Sequence, residues 1–242
     1  MSAIPRPACT APCSPPRLRG AWRSLRSPTG ACQTDLEFRF AHAAAWDASD
    51  IIGNSRTASG PDLMRQADFR SGLRRLTSLG LSLDAWAFHP QLPAVVDLAR
   101  AFPDARIVMG HVGAPLGYGP YAGKRDEVFA TWKAGVTDLA KCGNVMMKLG
   151  GMMMRQASFD YRTAPAPPTS AELAALWRPY IETCIELFGA DRCMFESNFP
   201  VDKMGIGWAA LWNALKRIAA GASADEKRAM FSGTARRFYR LA

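Results

Sequence analysis

The chain has three histidines, and two of them close short apolar runs: Phe88-His89-Pro90 ends the segment 81–88, and Gly110-His111-Val112 ends 106–111. Imidazole exchanges its proton near neutral pH, and its nitrogens suit divalent metals such as zinc. Two imidazoles that meet could hold a cation that polarises a carbonyl or activates water. Further along, Glu196, Asn198 and Asp202 lie within one short stretch. A carboxylate can take and give a proton, whereas the amide of Asn198 can only orient water or substrate. Glu196 and Asn198 share a face if their strand runs that far, which makes Glu196 the better placed proton carrier, with Asp202 as the second candidate. Gln91, Tyr121, Arg125 and Lys148 are candidate substrate contacts. Each also has an ordinary reading, as a polar loop residue or, for Lys148, as a lysine whose stem is buried.

Chemistry shared among residues so far apart needs elements that bring them together. Strand candidates fall at 37–46, 81–88, 106–111, 145–150 and 192–197. Four are short apolar runs bounded by Gly, Pro or polar residues, as expected of strands buried on both faces. His42 lies in the remaining one and is a weaker candidate for the site. Between them, 69–79, 94–102 and 126–141 carry helical patterning, and Leu173, Leu176, Trp177, Tyr180, Ile181, Cys184, Ile185 and Phe188 keep a 3.6-residue period that Gly189 ends. Thr169 with Glu172 and Ser223 with Glu226 fit capping boxes, and Pro179 is expected to start a second helical piece. The tract 152–168 opens on Met152-Met153-Met154 and reads either as core filling or as a substrate lid. Trp86 and Phe88 read as core or pocket wall. Strand–helix alternation at this spacing predicts parallel strands with crossover helices. In a parallel barrel the strand C-termini converge on one face, so His89 and His111 could meet across its mouth.

Four segments in order carry a resemblance: Ala85-Trp86-Ala87-Phe88-His89-Pro90-Gln91-Leu92-Pro93; Arg106-Ile107-Val108-Met109-Gly110-His111-Val112-Gly113; Asn144-Val145-Met146-Met147-Lys148-Leu149-Gly150-Gly151; and Phe188-Gly189-Ala190-Asp191-Arg192-Cys193-Met194-Phe195-Glu196-Ser197-Asn198-Phe199-Pro200-Val201-Asp202. Over residues 38–241 the chain resembles the amidohydrolase-related family of TIM-barrel hydrolases, among which lactonases and metal-dependent decarboxylases are found. The resemblance implies an α/β fold, a parallel (β/α) barrel of the TIM type, incomplete at its N-terminal strands. It also implies a divalent metal, zinc or similar, with His89 and His111 as ligands beside a His-x-His pair on the first strand, and an acid ending the last strand. This chain departs from that pattern twice: it contains no His-x-His, and Asn198 stands where the family has Asp. The implied activity is hydrolysis of a small lactone or carboxylated substrate, impaired by truncation, with the metal weakly bound or absent. The alternatives are a catalytically inactive barrel fragment and a non-oxidative decarboxylase on the same scaffold.

Composition narrows the partners. The net charge of +9 is concentrated in the first 34 residues, where Arg6, Arg17, Arg19, Arg23 and Arg26 face no acid, leaving 25 basic against 21 acidic groups elsewhere. That interspersed remainder is a solvated surface, not a nucleic-acid stripe. No apolar run is long enough to span a membrane, and no apolar core of a secretory signal follows the start. The six cysteines are scattered and form no CxxC pair, so reduced thiols in the cytoplasm are expected, with Cys184 and Cys193 as core residues. Prolines 5, 7, 12, 15, 16 and 28 predict a disordered tail over 1–36 ahead of a partial barrel domain over 37–242. The tail faintly resembles an organelle transit peptide, but its prolines spoil the amphipathic helix, and a mis-assigned start is the preferred reading. A barrel lacking strands would expose a sheet edge and pair with a second copy of itself.

Overall fold

A computed structural model of the protein describes residues 40–45 (backbone path alone), 63–154 and 165–241. The expected tail, with Cys9, Cys13 and Cys32, and most of the 152–168 tract lie outside the described residues.

All five strand candidates form strands, each shorter than its apolar run: β1 Phe40–Ala45, β2 Ser82–Ala87, β3 Arg106–Met109, β4 Val145–Leu149 and β5 Cys193–Phe195. They make one sheet in the sequential order β1-β2-β3-β4-β5, every pair parallel. Sequential parallel order with helical crossovers is the arrangement of a TIM-type barrel. The runs end early because the chain turns out of the ladder into single helical turns at His89–Gln91 and His111–Gly113. Pro90 cannot donate to a ladder, and Gly113 takes a φ of +74° that a side chain would resist.

Alternation along the strands divides the sheet. Leu83, Ala85, Ala87, Ile107, Met109, Met147, Leu149, Cys193 and Phe195 are buried on one face. Register aligns Asp84 with Val108 and Val108 with Met146, and sets Lys148 beside Met194 on the other face. Position 42 of β1 is in register with Asp84.

Four helices follow their sequence signals closely, α1 Ala67–Ser78, α2 Leu92–Ala101, α3 Arg125–Ala140 and α4 Ser170–Phe188, and α6 Ala224–Arg228 follows its capping box; α5 Trp208–Ile218 and α7 Thr234–Tyr239 complete the described helices. Both capping boxes form, Thr169 with Glu172 and Ser223 with Glu226. Pro179 does not start a second helix. α4 runs unbroken through it for 19 residues, carried by the buried stripe Leu173, Trp177, Tyr180, Ile181, Cys184 and Phe188, while the Thr183 hydroxyl donates to the Pro179 carbonyl. A five-residue π-helix, Ala229–Gly233, joins α6 to α7. From α7, Phe238 packs on Val108 and Met194, with Met146 and Tyr239 at the margin, so this short helix covers the face that carries Asp84 and Lys148. Met152, Met153 and Met154 are buried, which favours core filling over a lid for those three residues. Cys184 and Cys193 are likewise core. Among the described residues no helix is long and apolar enough to cross a membrane.

Candidate functional site

The C-terminal ends of β3, β4 and β5 build the site. His111 leaves β3 with a φ of +55°, followed by Val112 at +49° and Ala114 at +39°. Non-glycine residues in this left-handed region are uncommon, and a cluster of them marks backbone held in place by its surroundings. Part of that hold is the Trp132 indole, which donates to the Val112 carbonyl. Past β5 the ladder continues for one residue, because the Glu196 amide donates to the Leu149 carbonyl.

Glu196 and His111 therefore meet. One carboxylate oxygen of Glu196, Oε1, accepts both the His111 backbone N–H at 3.0 Å and the ring Nδ1–H at 2.7 Å. A carboxylate accepts only, so the Nδ1 position carries the proton and Nε2 is left with its lone pair in the neutral ring. Burial disfavours the imidazolium, but the Glu196 charge and hydrogen bond outweigh it and hold the His111 pKa above the ordinary histidine value. Burial likewise pushes the Glu196 carboxyl up, and the His111 charge and hydrogen bond, helped by Lys148, more than reverse it.

Lys148, on β4, places its ammonium 2.7 Å from Asp84 Oδ2 and 4.0 Å from Glu196 Oε2. Lys148 is thus engaged by two carboxylates. The Tyr239 hydroxyl donates to Asp84, 2.9 Å from both of its oxygens. Neither Asp84 nor Tyr239 stood out among the candidates. Asp84 had a usable signal, an acid inside an otherwise apolar strand; Tyr239 had none.

Asn198 does not share a strand face with Glu196, as alternation had suggested. The strand stops at Phe195, and Asn198 sits beyond it at a φ of +52°. Its side-chain Nδ2 donates to Asp202 Oδ1 at 2.8 Å, and Asp202 Oδ2 accepts the Met153 amide at 3.3 Å. Asp202 is fully buried, and burial outweighs those two hydrogen bonds, raising its pKa to about 6.

His89, Gln91 and Tyr121 form a separate cluster. The His89 backbone N–H donates to the Ala114 carbonyl, its Nδ1 accepts the Leu116 amide at 3.2 Å, and its ring meets the edge of Tyr121 at 5.0 Å. Burial lowers the His89 pKa to about 4, so the ring is neutral. A neutral imidazole that accepts at Nδ1 carries its proton on Nε2, the nitrogen a metal would need deprotonated. The expectation that His89 and His111 jointly hold a metal meets that obstacle. Gln91 Oε1 accepts the Phe88 amide at 2.9 Å, and its Nε2 is buried without a hydrogen-bond partner among the described residues. Arg125, expected in a loop, is the exposed first residue of α3, because Asp126 and Glu127 complete a first turn suited to the helix N-terminus. Trp86 links the clusters, its ring 6.0 Å from His111 and 5.9 Å from Phe88. Among the described residues no three His, Cys, Asp or Glu side chains converge to hold a metal ion.

Comparison with known proteins adds the lineage. The family model described as amidohydrolase matches residues 53–241. The uncharacterized protein y4mH of Sinorhizobium fredii is 36% identical over 181 residues, which are 75% of this chain and 54% of that protein. An L-fucono-1,5-lactonase of Burkholderia multivorans is 29% identical over 229 residues, 91% of this chain and 70% of the relative. A crystal structure of an amidohydrolase from Burkholderia multivorans with bound zinc superposes with a TM-score of 0.65 at 27% identity, covering 74% of this chain and 60% of that one. The chain thus spans about half the length of the Sinorhizobium relative it matches.

Proposed function

The chain belongs to the amidohydrolase family, and on that premise we propose that it hydrolyses a small lactone, with His111 and Glu196 as the acid–base pair. The observation that carries the reading is the 2.7 Å contact between His111 Nδ1, after β3, and Glu196 Oε1, after β5, at the C-terminal end of the parallel sheet and across the intervening β4. The similarity to an L-fucono-1,5-lactonase supports the substrate class.

In this reading His111 Nε2 removes a proton from water as the water oxygen bonds to the lactone carbonyl carbon. Glu196 keeps the ring in the tautomer with Nδ1 protonated and stabilises the imidazolium that forms. The imidazolium then returns the proton to the ring oxygen as the acyl–oxygen bond breaks, giving a hydroxy acid. Asn198, with Nδ2 committed to Asp202, has its carbonyl oxygen left to orient the water. His89 stiffens the loop after β2 through its bonds with the Ala114 carbonyl and the Leu116 amide, with the Tyr121 ring against its own. Zinc, of the kind bound in the Burkholderia structure, would compete with the water proton for the single His111 Nε2 lone pair and would bind weakly there, because the described donors fall short of the three protein ligands usual at catalytic zinc.

The test is hydrolysis of a panel of sugar and aliphatic lactones by the purified 242-residue chain, followed by pH-stat titration of released acid, with His111→Asn and Glu196→Gln as controls. Acid release that both variants reduce supports the proposal. Carbon dioxide release without ring opening would favour a decarboxylase, and no turnover of any kind a catalytically silent barrel. That last reading draws on Asn198 holding the place of an acid.

A further inference from the structure

The two carboxylates on Lys148 raise a question of cost. Lys148 and Asp84 are mostly buried, with side chains about 21% and 11% exposed. A buried ion pair is weak evidence for stability, since a well-packed apolar pair in the same volume is often neutral or better. The neighbours Val108, Met146 and Met194 show that this face is otherwise built from apolar side chains. The charges therefore ask for a role other than holding the fold.

Geometry supplies one. Glu196 gives Oε1 to both His111 donors, which leaves Oε2 turned to the Lys148 ammonium at 4.0 Å. Lys148 has three donor hydrogens on a flexible stem, and alone it would sample several rotamers. Asp84 removes that freedom at 2.7 Å, and the Tyr239 hydroxyl bridging both Asp84 oxygens fixes Asp84 in turn. The Lys148 ammonium also lies 5.5 Å from the centre of the Tyr239 ring, so Tyr239 meets both members of the pair. The result is one chain of contacts, Tyr239 to Asp84 to Lys148 to Glu196 to His111, running across the sheet from α7 to the end of β3.

We infer that Lys148 is a positioning residue of the site: braced by Asp84 and Tyr239, it fixes the Glu196 carboxylate in the orientation that grips both N–H groups of His111. The inference deepens the hydrolase reading and rests on it for its kinetic test only.

Three histidines make the direct test tractable in the full chain labelled with 15N-histidine. The His111 Nδ1–H held by Glu196 should give a downfield, slowly exchanging ring-proton resonance, assigned by its loss in His111→Asn. In Lys148→Met that resonance should move upfield or exchange away, while the His89 ring signals, from a separate cluster, stay in place and report an intact fold. Tyr239→Phe should shift it the same way by less, and Lys148→Arg should restore most of it. If Lys148→Met fails to fold, the double change Asp84→Leu with Lys148→Met removes both charges, and Tyr239→Phe leaves them in place. An unmoved His111 resonance in the variants that fold overturns the inference. Where lactone turnover is measurable, Lys148→Met should lower kcat about tenfold with KM unchanged, as for other residues that orient a catalytic group. A chain with no turnover would sink the hydrolase proposal and still leave the resonance to decide this one.

Discussion

Gly151 lies against the His111 ring so closely that a β-carbon on it would overlap the imidazole Nδ1. Gly150 stands in the same relation to the Glu196 backbone carbonyl. The two glycines after β4 are thus the seats of the two residues that form the dyad. Gly151 also has a φ of +65°, which a side chain resists.

Gly151→Ala should therefore push His111 away from Glu196 and cost roughly 1–3 kcal/mol of stability, from overpacking and backbone strain together. Denaturant titration reads the stability, and the His111 ring resonance reads the displaced dyad. A variant as stable as the parent with an unaltered resonance would mean that the loop yields without cost.

Glu196 sets the pH at which His111 can act as a base. A pKa held above the ordinary histidine value means that the neutral ring accumulates only above that raised pKa, so lactone hydrolysis should rise with pH through it. Glu196→Gln removes the two largest contributions that raise the pKa and leaves burial and the Lys148 charge, which lower it, against the smaller raising effect of Asp202. The pH–rate midpoint should then move to lower pH, while the plateau falls by about 10²-fold because the imidazolium has lost its stabilising charge. A midpoint that does not move would detach the rate from the dyad.

How far these features could be read from the residues alone varies with the kind of information each needs. The parallel strand–helix order was legible because apolar runs and 3.6-residue stripes are local, and the place of His111 at the end of a parallel strand was legible in the same way, whereas Glu196 was reached through a shared face with Asn198. Asp84 was half legible, as a charge in an apolar strand. Its partner Tyr239 is 155 positions away and arrives only through the packing of α7. His89 and His111 look alike as strand-end histidines; what separates them is the partner at Nδ1, a backbone N–H for His89 and the Glu196 carboxylate for His111, and no pattern of residue types encodes that. The shared face of Glu196 and Asn198 failed for a related reason, since alternation holds only while a strand lasts and β5 ends before Glu196.

Zinc should bind this chain weakly. His111 Nε2 is one available donor, His89 is protonated at the nitrogen it would need, and the described residues hold no third ligand beside them. Elemental analysis after dialysis at low zinc should find well under one equivalent (about a tenth or less), lost in His111→Asn, given the three ligands usual at catalytic zinc. One full equivalent surviving that substitution would assign the ion to other residues.

His89 and Asp202 should give stability opposite dependences on pH. His89 has a pKa of about 4 in the folded chain, below its ordinary value, so its contribution is complete above about pH 6.5 and is lost as pH falls toward 4. Asp202 has a pKa of about 6, above its ordinary value, so its contribution is complete below about pH 3.8 and is lost as pH rises toward 6. At about 1.36 kcal/mol per pKa unit each amounts to roughly 3 kcal/mol, and in the parent chain the two largely cancel between pH 4 and 6. Single substitutions should expose them. His89→Asn keeps an acceptor for the Leu116 amide and cannot be protonated, so relative to the parent it should gain stability as pH falls from 6.5 to 4. Asp202→Asn cannot ionise, so relative to the parent it should gain stability as pH rises from 4 to 6. Urea titrations of the three proteins across that range measure both slopes. Parallel slopes for the two variants would show that burial does not govern these groups as their positions require.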